Sequence, residues 1–439
     1  MGLAFVNRDA NDNHIEVVNL IADKHFIPEK NDCWSCYQPK LYYLAVTGVV
    51  KLLHYHVTEN RIITAQMLNV IFAFFSLLLI WKFIRKQVLS TQNQLLLFAF
   101  CAFNPCFAAI NIQATNDTLA ILFGIAALYF ADSFFKESKK KYFIGLSVAV
   151  VAAALTKGSG LLLFTVILIA FILKLAGQYE KQKRILLVKY LLILIFSFSA
   201  IVPFAGGYYN NYKKYHSFTV STWNKDAPPL FFKTSYIARP GITDMFHGWF
   251  TFRYLDMIRQ PYINNESDNY PLHRTSLWSQ LYGRTMFLHF DQWPESWQTQ
   301  ESWIISIGRA LIILGIVPLF LFLCGFVFNC FAFLKSAFTG FKNYLQASTD
   351  YLHLISAVVF LMSSLVYTYS YRDFSAMKSI YIFPGIISFV KLFSDGFVSI
   401  IKIRFSKLIS VALLIIIILS IVDISYLFYQ QYSIRYLER

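Results

Sequence analysis

Charge is scarce in this chain of 439 residues, and acidic charge is scarcest: 24 Asp and Glu stand against 39 Lys and Arg, and charged residues are only 14% of the total. A soluble domain of this length carries more. Before Asn13 there is no apolar core of a cleavable signal peptide. No P-loop and no dinucleotide fingerprint occur, so the usual cradles for nucleotide phosphates are missing. The nine histidines form no His-x-x-x-His or Glu-x-x-His pattern, which removes the common zinc signatures. No internal repeat stands out, so an inverted-repeat transporter is not indicated. Cysteine is sparse too. Cys33 and Cys36 form one pair, too few for a structural zinc site and without the βαβ context of a redox motif. A local disulfide in an oxidising compartment is the economical reading, with free thiols the alternative. Cys101, Cys106, Cys324 and Cys330 lie in or near apolar runs and read as packing residues.

Apolar surface is abundant instead. The chain is 57% hydrophobic and 18% aromatic, with 44 Phe and 27 Tyr, as suits lipid-facing helices with interfacial belts. Runs long enough to span a bilayer fall near 62–81, 93–112, 116–135, 142–156, 159–176, 185–206, 303–333, 351–370, 377–397 and 406–429. Between them lie basic clusters: Lys82/Arg85/Lys86, Lys136/Lys139/Lys140/Lys141, Lys174/Lys181/Lys183/Arg184, Lys335/Lys342 and Lys402/Arg404/Lys407. One threading puts every cluster on the same side, and the positive-inside bias makes that side the cytoplasm. The net charge of +15 is thus a matter of topology, not of nucleic-acid binding. Leu41–His56 is short and carries Lys51, His54 and His56. Counting it as a span would put the basic clusters outside, so it reads as an amphipathic helix on the outer surface.

The resulting layout is an outer segment at 1–61, a transmembrane bundle at 62–206, a large outer loop at 207–302 and further spans at 303–439. A polar start on the outer side implies a first helix upstream of Met1. Polar groups then gather on the outer side, where cytosolic nucleotide donors are out of reach. Asp117 sits at the mouth of a span, a costly place that favours function, although Asn116 or Asp117 also reads as a helix cap. Lys157 lies in an outward turn beside Gly158 and Gly160, a seat for phosphate or a snorkelling lysine. Arg372 and Lys378 bracket another outer turn and suit an anionic head group. The large loop adds Trp223, Trp249, Trp278, Trp293, Trp297, His247, His273, His289, Arg253, Arg274, Arg284 and Asp291, which stack on sugars or simply pack. Asp423 in the last span lines a cavity or snorkels.

The order of motifs resembles that of the GT-C superfamily of membrane glycosyltransferases, in particular protein O-mannosyltransferases and aminoarabinose transferases. An acidic stretch with Asp9, Asp12 and His14 precedes Gln38-Pro39-Lys40-Leu41-Tyr42-Tyr43, similar to the family's Gln-Pro-Pro-Leu-Tyr-Tyr, with Lys40 where the second proline would be. Asn116-Asp117, Leu155-Thr156-Lys157-Gly158-Ser159-Gly160 and Lys378-Ser379-Ile380-Tyr381-Ile382-Phe383-Pro384 follow in the family's order. The resemblance implies an all-α GT-C-type bundle of about ten transmembrane helices, with outer juxtamembrane helices and a large outer loop. It implies transfer of a sugar from a polyprenyl-phosphate donor to a lipid, glycan or protein acceptor on the periplasmic or luminal face; the lack of a clear eukaryotic targeting or retention signal points to a bacterial inner membrane. Asp12 or Asp9 would serve as base and Asp117 would assist. His14, Gln38, Tyr42, Asn116, Lys157, Arg372, Lys378 and Tyr381 would bind substrate. No cofactor is required by the sequence, and a divalent cation stays open. The competing classes are a transporter or lipid flippase, and an O-antigen ligase or polymerase. The former calls for charged or broken spans at mid-membrane; the latter has no need of the early acidic segment.

Overall fold

The computed structural model describes residues 1–7, 13–220, 248–263, 276–291, 295–370, 378–401 and 406–437. Asp9, Asp12, Arg372, Trp223, Trp293, His247, His273 and Arg274 lie outside the described residues. Within them the protein is all-α, and the one β-type pairing is an isolated bridge between Ile263 and Asp291.

Short helices α1 (Gly2–Val6), α2 (His14–Lys24) and α3 (Leu41–Leu52) precede the long ones. At 12 residues α3 is too short to cross a bilayer. It buries Tyr42, Tyr43, Val46 and Val50 on one side and exposes Leu44 and Leu52 on the other, as an interfacial helix does. Next come α4 (Thr58–Ile84), α5 (Thr91–Ala102), α6 (Pro105–Asn111), α7 (Asp117–Glu137), α8 (Lys140–Thr156), α9 (Ser159–Gly177) and α10 (Lys181–Ala205). After α11 (Tyr208–Tyr215), the described parts of the large loop hold α12 (Tyr254–Arg259) and α13 (Leu277–Met286). The chain then runs through α14 (Ser302–Leu314), α15 (Ile316–Thr339), α16 (Phe341–Ala347), α17 (Asp350–Ser370), α18 (Ile386–Ile401) and α19 (Ser406–Tyr436).

Eight stretches among the described residues are long and apolar enough to span a membrane, and α5 with α6 makes a ninth if the bent pair is one span. The 51° bend has a local cause. Pro105 has no N–H to donate backward, and the Asn104 side chain caps the new helix by accepting the Phe107 N–H at 3.0 Å. The tenth expected span, 142–156, forms α8, whose 17 residues fall just short of those eight. The protein is thus an integral-membrane helical bundle, with eight or nine stretches among the described residues meeting the length and apolarity of a span and α8 one residue shorter.

Helix α7 is the axis of the bundle, with 83% of its apolar window buried against α4, α8 and α9. Small residues let neighbours approach it: a Cβ on Gly124 would fall 2.4 Å from the Pro384 carbonyl oxygen. The same device joins α15 to α18, where Gly325 and Gly396 lie against the backbone of the partner helix. Near the basic end of α7, buried Asp132 accepts from Thr349 at 2.6 Å and from Lys136. About 15 residues, or roughly 22 Å of helix, separate that cluster from Asp117. At the N-terminal end, Arg61 fixes α2 to α4 through two bonds to Asp23, at 2.6 and 2.8 Å, and holds Asp23 below the usual carboxylate range.

Candidate active site

A cavity of about 580 Å³ opens at the Asp117 end of the bundle. Several separate parts of the sequence line it, from His14 to Tyr381.

Asp117 begins α7, so its carboxylate sits at a helix N-terminus, where negative charge is favoured. The Thr115 hydroxyl donates to it at 2.8 Å, and Lys157 forms an ion pair with it. Lys157 follows the last turn of α8 in an extended conformation, φ −155° and ψ 150°, which stops the helix. The reversal into α9 is tight: a Cβ on Gly160 would meet the backbone of Ala154 at 2.2 Å, so only glycine fits. That turn delivers the ammonium to Asp117 and places it 5.5 Å from the centre of the Tyr381 ring.

His14, the first residue of α2, lines the same wall. Its Nδ1 lies 2.6 Å from the Tyr43 hydroxyl and its Nε2 lies 3.4 Å from Thr115 Oγ1. Gln38 accepts a hydrogen bond from the Asn116 amide at 3.0 Å, and Asn116 also donates to the Thr156 carbonyl at 3.0 Å. Asn116 is fully buried and does not line the cavity; it ties the Gln38 wall to the ends of α7 and α8. Tyr42 is also buried behind the wall, edge-on to Tyr43, so the Tyr nearest the site through His14 is Tyr43. The helical period explains the difference: adjacent residues on α3 point some 100° apart.

Lys378 and Tyr381 enter from the short 3₁₀ segment before α18, and Tyr381 packs on Tyr367 with ring centres 4.9 Å apart. Thus His14, Gln38, Asp117, Lys157, Lys378 and Tyr381 meet in one cavity, although the sequence scatters them over more than 360 residues.

The cavity is also lined by a pair that the sequence reading named only among the residues of the large loop that stack on sugars or pack. Arg284, on the last turn of α13, ion-pairs with Asp291 and donates to Gln280 at 2.9 Å. Both members of the pair face the cavity. A seven-residue spacing of Arg and Asp is too common to mark a site; the bend between α13 and the following 3₁₀ turn creates it. Cys106, expected to be inert packing, also lines the cavity and lies 3.1 Å from the Ser379 hydroxyl. Asp423 neither lines the cavity nor snorkels. It is buried and accepts the Leu288 backbone N–H at 2.8 Å, anchoring the turn that carries Asp291. Next to it, burial pushes the His289 imidazole down to about 4.

The cavity therefore offers three cations, two carboxylates and an imidazole, with Tyr37, Tyr367, Tyr381 and Trp297 between them. Such a set suits an anionic head group joined to a polar ring. Among the described residues no three His, Cys, Asp or Glu converge, and Asp117 is already held by Lys157.

Residues 41–204, from α3 almost to the end of α10, match the profile of the dolichyl-phosphate-mannose-protein mannosyltransferase family. No curated protein matches the sequence. Two solved structures of ArnT from Cupriavidus metallidurans share 12% identity in the apo state and 13% when bound to undecaprenyl phosphate. The alignments cover 90% of this chain and 75% and 74% of those chains, at TM-scores of 0.37 and 0.35, too low to carry an argument. The matched profile contains Asn116, Asp117 and Lys157 but stops short of Arg284 and Lys378. Over residues 41–204, within a polytopic helical fold, this chain is thus similar to the dolichyl-phosphate-mannose-protein mannosyltransferases.

Proposed function

We propose that the protein transfers a sugar from a polyprenyl-phosphate donor to a hydroxyl or amine of a lipid, glycan or protein acceptor. The supporting observation is the cavity at the Asp117 end, which unites Lys157, Lys378 and Arg284 with two carboxylates in a volume suited to a small polar ligand. That end lies away from the basic loops, which argues for an active site on the periplasmic or luminal face and, in a bacterium, for the inner membrane.

In the proposed step, a carboxylate takes the proton from the acceptor O–H or N–H while that atom bonds to the anomeric carbon. The bond from that carbon to the phosphate oxygen breaks, and the electron pair leaves with the polyprenyl phosphate. A single displacement of this kind inverts the anomeric centre. Lys378, Arg284 and the donors of Lys157 not used by Asp117 hold the phosphate and neutralise its growing charge. Arg372 is proposed for the same task. Asp12 or Asp9 acts as base, a reading supported by their position in the sequence shortly before His14, which lines the cavity. Asp117 orients the acceptor and fixes Lys157. His14, Gln38 and Tyr381 contact the sugar, with Tyr42 and Asn116 supporting the wall behind.

The test is incubation of membranes with a radiolabelled polyprenyl-phosphate sugar, followed by identification of the labelled product. Lys378→Ala is expected to lower kcat/KM on the order of a hundredfold, the usual cost of losing a group that stabilises transition-state charge. Full transfer activity in both Asp9→Asn and Asp12→Asn would overturn the assignment of the base. Failure of every polyprenyl-phosphate sugar to label a product would overturn the reaction class.

A further inference from the structure

Between α2 and α3 the chain makes a compact turn closed by the Cys33–Cys36 disulfide. Its backbone is bonded internally, Cys36 N–H to Cys33 O at 3.2 Å and Gln38 N–H to Ser35 O at 3.2 Å. Lys40 does not line the cavity. Its ammonium folds back and donates to the Cys36 carbonyl and, at 2.8 Å, to the Gln38 carbonyl. It therefore bridges the disulfide half of the turn to the half that faces the cavity. Tyr37 and Gln38 are the two cavity-lining residues of this turn, and Gln38 is joined through Asn116 to the residue beside Asp117.

We propose that Lys40 is a positioning residue which, together with the Cys33–Cys36 disulfide, fixes the Tyr37–Gln38 wall of the cavity against Asn116. The physical case rests on what the turn lacks. It has no sheet or helix ladder to set its shape, so its carbonyls need other donors. An ammonium brings three donors and spans both carbonyls at once. Burial lowers the ammonium to about 8, with Asp32 opposing, consistent with an enclosed group held by backbone oxygens. The resemblance stated above has proline at this position, and proline would stiffen the turn by a different route. Here φ of residue 40 is −97°, outside the range proline allows, so the lysine is not a relaxed proline but another solution to the same need.

The proposal rests on the transferase reading for its activity readout. In purified enzyme, Lys40→Met keeps the aliphatic stem and removes the donors. It is expected to raise KM for the donor about tenfold while kcat changes less than about threefold, the pattern of lost ground-state positioning. Lys40→Arg restores the two donations and most of the affinity; Lys40→Pro does not. Reducing Cys33–Cys36 in the wild type with a membrane-impermeant phosphine raises KM in the same direction. On Lys40→Met the reduction adds less than on the wild type, because both act on one turn. A wild-type KM in a Lys40→Met protein that melts like the wild type overturns the proposal. If that variant does not fold, an unchanged KM in the reduced wild type overturns it instead. Should no donor be turned over even by the wild type, the transferase reading fails separately. Hydrogen exchange then decides: Lys40→Met must speed exchange at the Cys36 and Gln38 amides, and unchanged exchange overturns the positioning role.

Discussion

Replacing Lys157 by Met and Asp117 by Asn, singly and together, measures the central ion pair of the cavity. At a contact of about 3 Å and an effective dielectric of about 20, the attraction is roughly 5 kcal/mol. The two side chains retain only 17% and 14% of their exposure, so desolvation takes back a large share of that gain. Thr115 still donates to Asp117 after the lysine is lost, which limits the penalty of leaving the carboxylate behind. The expected coupling is about 2 kcal/mol: each single variant is destabilised, and the double variant is more stable than the sum predicts. Unfolding in mixed micelles titrated with SDS reads this for all four proteins. A coupling below about 0.5 kcal/mol would show that the pair is no stronger than an exposed salt bridge, and the argument from burial would fail. Activity separates the roles. If Lys157 only neutralised Asp117, the double variant would be no less active than Asp117→Asn alone; if it also holds phosphate, the double variant is less active than that single variant.

Two further outcomes are expected. His289, buried with a folded value near 4, binds its proton in the unfolded chain at about 6.5, so between those values the unfolded state holds more protons. The contribution of His289 to stability therefore falls as pH drops from about 6.5 to about 4, by up to roughly 3 kcal/mol. A difference curve between wild type and His289→Gln measured over that range checks it, and a flat difference refutes it. Gly396→Val inserts bulk where even a Cβ would lie 1.9 Å from the Leu321 carbonyl oxygen, so α15 and α18 must separate. The expected cost is about 3 kcal/mol or more, read as a lower SDS midpoint, whereas wild-type stability would show that the helices do not pack this closely.

Much of the site was legible as residue types at particular places. Asp117 stood out because a carboxylate at a span mouth is expensive, and Lys157 because an ammonium beside Gly158 and Gly160 makes a seat for phosphate, with snorkelling the alternative. Tyr42 lies behind the cavity wall because a motif gives neighbours in sequence, while the helix turns each neighbour to another side. Arg284 and Asp291 had no signal beyond their chemistry. Their part in the cavity depends on a bend held by Asp423, 132 residues farther along the chain than Asp291.

The sequence by itself determined that this is a polytopic membrane protein, because twenty-residue apolar runs have one economical solution in lipid, a hydrogen-bonded helix. It also determined, through the basic clusters, which polar residues share an end of the bundle. It did not determine how they meet. Only the tertiary structure decided that Asp117 and Lys157 pair, that Arg284 faces them, and that Lys40 turns away from the cavity to hold its wall. Those outcomes depend on helix rotation and close backbone approach at glycines such as Gly124 and Gly160, and sequence spacing carries no record of either.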